Sequence, residues 1–176
     1  MSDTPKARDY RDTLNLPKTT FPMKADLPAR EPARIAWWKE RGTYARRLEA
    51  NRSNPPWILH DGPPYANGHL HMGHFLNMVL KDVFVKINLL DGRWAKFVPG
   101  WDMHGLPIEL DTLKHFKIKD VHQIDPLEFR ERCKERALYW LDQQRETRVR
   151  MGAFGEFDHP YRTVDPEFEG TIVDAL

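Results

Sequence analysis

Two histidines three residues apart, His71 and His74, open a stretch in which apolar residues recur at helical spacing from 75 to 90. On a helix that interval puts both rings on one face, where they can aim at a single group. Gly73 between them leaves the backbone open to close approach, and Gly62, Pro63 and Gly68 crowd the loop just before. Paired imidazoles at a helix start suit two chemistries. One is phosphate binding, because a helix start offers unpaired N–H donors and a positive dipole end. The other is a zinc site, which needs a third ligand that the sequence does not place. The bland alternative is a pair of rings that merely cap the helix, and the surrounding glycines weaken it. A second cluster follows in Gly100-Trp101-Asp102-Met103-His104-Gly105-Leu106-Pro107-Ile108-Glu109. Its carboxylate, Asp102, suits a charge-assisted bond to a cationic group, or else a cap on a helix starting near Pro107.

The elements that must hold these residues can be read from period and punctuation. Residues 57–59 predict a short buried strand, 60–74 a Gly- and Pro-rich loop, and 75–90 a helix. In that helix Leu76, Val79, Val83, Ile87 and Leu90 are expected in the core, with Asn77, Lys81, Asp82 and Lys86 outward. Asp91-Gly92 ends it and 94–98 predict a second strand, so strand, helix and strand form a right-handed parallel crossover. The loops around Pro63 and Asp102 should then flank one crevice of an α/β fold.

The remaining chain supports that unit. Pro17, Pro22 and Pro28 make residues 1–28 an extended arm, with Leu14, Leu16, Phe21 and Met23 expected to lie on the body. A helix is predicted from about 30 to 41 and a charged one over 44–51, whose Arg46, Arg47 and Arg52 read as a solvated face. Pro107 opens a helix through Phe116. Asp125-Pro126-Leu127-Glu128 has the form of a capping box before a long helix to Met151, with Phe129, Cys133, Ala137, Trp140 and Gln144 inward. A short strand near Pro160 and a last helix from Asp165-Pro166 complete the reading.

Composition excludes more than it selects. Lys+Arg 27 against Asp+Glu 26 gives net charge +1, too little for a chain that grips nucleic acid over its whole surface. A single cysteine, Cys133, excludes an internal disulfide framework and a multi-cysteine zinc cluster, and reads as a core residue. No apolar run approaches a membrane span, so a cytoplasmic setting without a membrane partner is expected. The 176 residues divide into an arm and helical extension, 1–55, and a nucleotide-fold segment, 56–176.

The segment Pro63-Pro64-Tyr65-Ala66-Asn67-Gly68-His69-Leu70-His71-Met72-Gly73-His74 resembles the His-x-Gly-His signature loop of class I aminoacyl-tRNA synthetases. Joined to the Gly100 to Glu109 cluster, it resembles the isoleucyl-tRNA synthetases within that class. Leu14-Asn15-Leu16-Pro17, Arg30-Glu31-Pro32 and Asp158-His159-Pro160-Tyr161 are similar to that family as well. The resemblance implies the first half of a class I Rossmann-type nucleotide-binding fold. It implies ATP-dependent activation of isoleucine and transfer to tRNA(Ile), by a monomer using ATP with Mg2+. His71 and His74 would be catalytic, with Asn67, Gly68, His71, Gly73 and His74 binding ATP and Gly62, Pro63 and Asp102 binding the amino acid. His69 and Met103 depart from the family pattern at positions that supply no required chemistry. The Lys-Met-Ser-Lys-Ser signature and the editing, zinc-binding and anticodon regions do not occur, so the chain is expected to be an N-terminal piece, inactive alone, that itself holds no metal. A freestanding nucleotidyltransferase and a noncatalytic tRNA- or partner-binding module are the alternative readings.

Overall fold

Proline and glycine set most element boundaries, at positions close to those predicted. The computed structural model describes Tyr10 and residues 13–15 and 19–176, so Leu16 and Pro17 lie outside the described residues. Helix α1 (Leu27–Glu40) starts about one turn earlier than expected. Pro28, read from sequence as part of the arm, stands in its first turn, where a missing N–H costs nothing. Gly42, at φ 57°, separates α1 from α2 (Thr43–Ala50). Helix α3 (Met72–Leu90) is followed by β1 (Gly100–Trp101), α4 (Leu106–Phe116), α5 (Pro126–Arg150), β2 (Tyr161–Arg162) and α6 (Pro166–Asp174). A 3-10 turn over Val121–Gln123, unforeseen in the sequence, precedes α5. The Asp125 carboxylate accepts from the N–H groups of Leu127 and Glu128 at 2.9 and 3.1 Å. Only that half of the expected capping box forms, since Glu128 pairs with Arg132 one turn on.

The crossover is parallel as predicted, but its strands are broken. β1 and β2 pair in parallel, Gly100 opposite Tyr161 and Trp101 opposite Arg162. Apart from that pair, the described residues form only isolated parallel bridges, Pro56 with Trp94 and Tyr65 with Asp102. The strands expected at 57–59 and 94–98 are therefore extended segments without a continuous ladder. Pro55, Pro56, Pro63 and Pro64 bring no N–H to it, and at the first bridge the bonds run from the Trp57 and Trp94 N–H groups to the Trp94 and Pro55 carbonyls at 3.0 and 3.1 Å. Ile58 is exposed while Trp57 and Leu59 are half-buried, so the first segment is covered on one face only. At β1 a Cβ on Gly100 would fall 1.9 Å from the Tyr161 ring, so that ring can cross the strand only above glycine.

The phase of α3 is the main correction. Leu76 and Leu90 are 61% and 73% exposed, Val83 and Ile87 are exposed too, and Val79 is half-buried. The covered face instead carries Met78, Lys81, Asp82, Val85, Lys86 and Leu89. Its charges face inward because each has a fixed partner. Lys81 pairs with Asp61, Lys86 bonds Asp82 and the Gly152 carbonyl, and Asp82 accepts the Phe154 N–H at 2.8 Å. Hydrophobic period alone identified the apolar side of the helix, which is not the side the described residues cover.

Two clusters make the core. Val85, Leu89, Ala95 and Phe97 pack with Trp57, Leu59, Tyr44 and Phe154. Ala66, Trp101, Met103, Ile108, Ala137, Leu141 and Phe157 form the other, between β1, α4 and α5. Arg47, expected in solvent, closes the end of α3 by donating to the Leu89 and Leu90 carbonyls at 3.0 and 3.1 Å. The described apolar residues of the arm are not buried on the body as expected. Leu14, Phe21 and Met23 are exposed, because a segment with neither helix nor ladder has no regular face with which to bury them. In denaturant titrations Leu89→Ala should cost ~2–5 kcal/mol, the usual cost of emptying a packed leucine site. Ile87→Ala should stay within about 0.5 kcal/mol of the parent.

Candidate functional site

The two histidines are held by the helix start that they themselves close. His71 is the N-cap of α3, and its Nδ1 accepts the N–H of Gly73 at 3.1 Å. The Nδ1 of His74 reaches back to accept the His71 N–H at 3.3 Å, completing a reciprocal cap. An imidazole that accepts at Nδ1 is neutral there and carries its proton on Nε2. The rings lie 3.9 Å apart at 38°, so two Nε2–H donors stand side by side at the head of the helix. Capping and donation are therefore one arrangement, in which the caps select the tautomer that donates. Gly73 is required by the same geometry, since a Cβ there would come within 2.9 Å of His71 Cε1. Burial, and secondarily the neighbouring His71, hold His74 below the usual imidazole range.

Beside His74 lies a cleft of about 220 Å³, lined by Gly62, Pro63, Asn77, Lys81 and Arg148 among others. Its floor is tied to Asp61, whose side chain is 1% exposed. One carboxylate oxygen takes Lys81 Nζ at 2.5 Å, and the other takes the Gly100 N–H at 2.9 Å and faces Arg148 at 3.5 Å. The Asp61 carbonyl accepts from the Tyr161 hydroxyl at 3.1 Å. Arg148, 3% exposed, lies over the rings of Trp101 and Phe157, while its Nε and Nη1 have no hydrogen-bond partner. Burial pushes its guanidinium down and Asp61 draws it back up. Two cations against one carboxylate leave the floor electropositive, which favours an anionic group in the cleft.

Asp102 stands at the neighbouring strand end. Its N–H donates to the Pro64 carbonyl and its carbonyl accepts the Ala66 N–H, both at 2.9 Å. Its carboxylate caps no helix. The N-cap of α4 is Gly105, with no side-chain cap, and Asp102 Oδ1 accepts the His104 N–H at 3.4 Å. The carboxylate does not line the His74 cleft. The structure thus gathers Gly62, Pro63 and His74 in one cleft with His71 beside it, while Asn67 and Gly68 occupy the loop leading to it and Asp102 the adjoining bridge. Asp61, Lys81 and Arg148 were not foreseen. Lys81 follows His74 by seven residues and so shares its helix face, a spacing that the outward assignment of Lys81 overrode. Among the described residues no group of three or more His, Cys, Asp or Glu is placed to hold a metal ion.

Residues 33–176 match the family tRNA synthetases class I (I, L, M and V). Proteins named isoleucine–tRNA ligase are similar over most of this chain. That of Moorella thermoacetica is 52% identical over 161 residues, covering 92% of this chain and 17% of the relative. That of Symbiobacterium thermophilum is 52% identical over 168 residues, 96% of this chain and 18% of the relative. The Aquifex aeolicus protein is 49% identical over 173 residues, 97% and 18%. Among solved structures, the agnB2 LeuRS of Agrobacterium radiobacter K84, in a ternary complex with tRNA and LeuAMS, superposes with a TM-score of 0.63. It has 20% identity, over 86% of this chain and 18% of that one, and shows the shared fold. The chain spans under a fifth of the length of the curated relatives it matches.

Removing the carboxylate at the centre of this arrangement tests its weight. Asp61→Asn leaves Lys81 and Arg148 buried without their counter-charge and should cost ~3–5 kcal/mol of stability, read from urea midpoints. A change below about 0.5 kcal/mol would mean that the pair is screened as a surface pair is.

Proposed function

Because the chain belongs to the class I tRNA synthetases, we propose that it forms the first half of the nucleotide-binding fold of an isoleucine–tRNA ligase. The observation that carries the proposal is the pair of Nε2–H donors at the head of α3, next to a cleft with an electropositive floor. In this reading a carboxylate oxygen of isoleucine attacks the α-phosphorus of ATP, supplied with Mg2+ as substrate. The bond to the bridging oxygen breaks and pyrophosphate leaves with the electron pair. His71 and His74 donate to phosphate oxygens as charge grows on them, so their contribution is largest at the transition state. The caps hold the rings in place before substrate arrives, which removes a reorganisation cost from the reacting step.

Asn67, Gly68 and Gly73 border ATP, Gly62 and Pro63 line the amino acid by backbone, and the Asp102 carboxylate takes the substrate ammonium. The 2′-hydroxyl of the terminal ribose of tRNA(Ile) then attacks the acyl carbon of the adenylate and AMP departs. Such an enzyme works in the cytoplasm as a monomer, and no described helix is long and apolar enough to cross a membrane. Zinc is not asked of this segment.

The test is a chimera in which residues 1–176 replace the matching segment of the Moorella thermoacetica relative. It should catalyse isoleucine-dependent exchange of pyrophosphate into ATP, whereas the 176-residue chain alone should be silent for want of the lysine-rich signature loop. His74→Ala in the chimera should lower the activation rate by roughly one to three powers of ten with isoleucine affinity nearly unchanged. Asp102→Asn should weaken activation of isoleucine and valine alike by ~2–5 kcal/mol. A folded chimera that exchanges nothing would overturn the proposal, and robust exchange by the chain alone would favour a freestanding nucleotidyltransferase.

A further inference from the structure

Gln144 stands on the inward face of α5 with only 2% of its surface exposed. Its Nε2 donates to the carbonyls of Tyr65 and Gly68 at 2.9 and 2.7 Å, and its Oε1 accepts the Trp101 indole N–H at 3.0 Å. Both amide hydrogens and the amide oxygen are thus in use. The two carbonyls bracket the loop that carries Asn67 and Gly68, while Trp101 is fully buried and adjoins Asp102. One side chain therefore joins the two loops assigned above to the nucleotide and to the amino acid.

The two loops depend on it unequally. Asp102 is tied to Pro64 and Ala66 by backbone bonds, and the next residue, Met103, donates its N–H to Thr163 Oγ1 at 2.9 Å. Between Tyr65 and Gly68, the Ala66 N–H is bonded to the body through Asp102, and the two carbonyls reach the body through Gln144. Both bonds are half-buried, with water close by, so a chain that loses Gln144 regains a partner for the two carbonyls by moving the loop toward solvent. Such a movement displaces Asn67 and Gly68 and leaves Asp102 in place.

We propose that Gln144 is a positioning residue, a clamp from α5 that holds the Tyr65 to Gly68 loop in its nucleotide-binding shape without touching substrate. The proposal rests on the ligase reading for its effect on ATP, and on geometry alone for its effect on the loop. Gln144→Met keeps the length and removes all three bonds. Gln144→Glu is isosteric and keeps the acceptor for Trp101, but it presents an oxygen to two carbonyls that need a donor. Trp101→Phe removes the third bond and leaves both carbonyl bonds.

In the chimera, both Gln144 variants should raise KM for ATP about tenfold while KM for isoleucine stays within about twofold, and Trp101→Phe should leave that ratio near the parent's. In the 176-residue chain, amide hydrogen exchange over 65–70 should quicken in the Gln144 variants and stay as in the parent along α5. Equal rises in both KM values, or faster exchange spread through α5, would reduce Gln144 to a general packing residue and overturn the clamp. So would an unchanged KM for ATP together with unchanged exchange over 65–70. If the chimera with the parent segment is inactive, the ligase reading falls, and the exchange measurement still decides the clamp.

Discussion

The reciprocal cap at the head of α3 is the constraint on which the site depends. A helix start must satisfy its first N–H groups, and here two imidazoles do so through Nδ1. That choice settles orientation, tautomer and protonation together. Each ring is pinned by a backbone bond, and each is left with a donor at Nε2. A proton on Nδ1 would turn an acceptor into a second donor facing a backbone N–H, so the cap and the imidazolium are incompatible. The depressed proton affinity of His74, caused by burial and then by its neighbour, runs in the same direction. A group whose affinity falls on folding favours the folded state above its unfolded value of about 6.5, and that contribution is lost as pH falls through the lower folded value.

A cap is useful only if the helix beneath it is fixed relative to the loop before it. That fixing is electrostatic more than apolar. Asp61 joins the loop, α3, β1 and α5 through Lys81, the Gly100 N–H and Arg148. Buried pairs of this kind stabilise little against an apolar replacement but strongly resist loss of one partner, so they specify one arrangement of four segments. Gln144 ties Tyr65 and Gly68, inside the signature segment, to α5 with neutral bonds. The inward face of α3 thus carries charge because its neighbours need anchoring, and its apolar stripe lies elsewhere.

Much of this was legible in the sequence where local chemistry decides the outcome. The helices were recognisable from caps and prolines such as Asp125-Pro126 and Asp165-Pro166, and the parallel crossover from the order of segments around α3. The histidine pair and its glycine stood out by spacing, as did the inward row from Phe129 to Gln144. What failed depended on partners distant in the chain. The phase of α3 turned on Asp61 and on the backbone at Gly152 and Phe154, none of which a helical wheel displays. The strands were broken by prolines whose missing N–H groups matter only once the neighbour is known. Arg148 drew no reading from sequence, yet it is buried between two rings and a carboxylate. Leu14, Phe21 and Met23 suggested an arm lying on the body and are exposed instead, because apolar side chains bury only where backbone geometry gives them a common face.

The most direct test of this account is the state of the two imidazoles. Nitrogen-15 NMR of the histidine side chains at pH 7.5 should show His71 and His74 both neutral and both protonated on Nε2, with His74 titrating below about 6.5 as the pH is lowered. If either ring carries its proton on Nδ1, or if His74 titrates above the ordinary histidine value, the caps do not set the tautomer and the donor pair at the head of α3 does not exist.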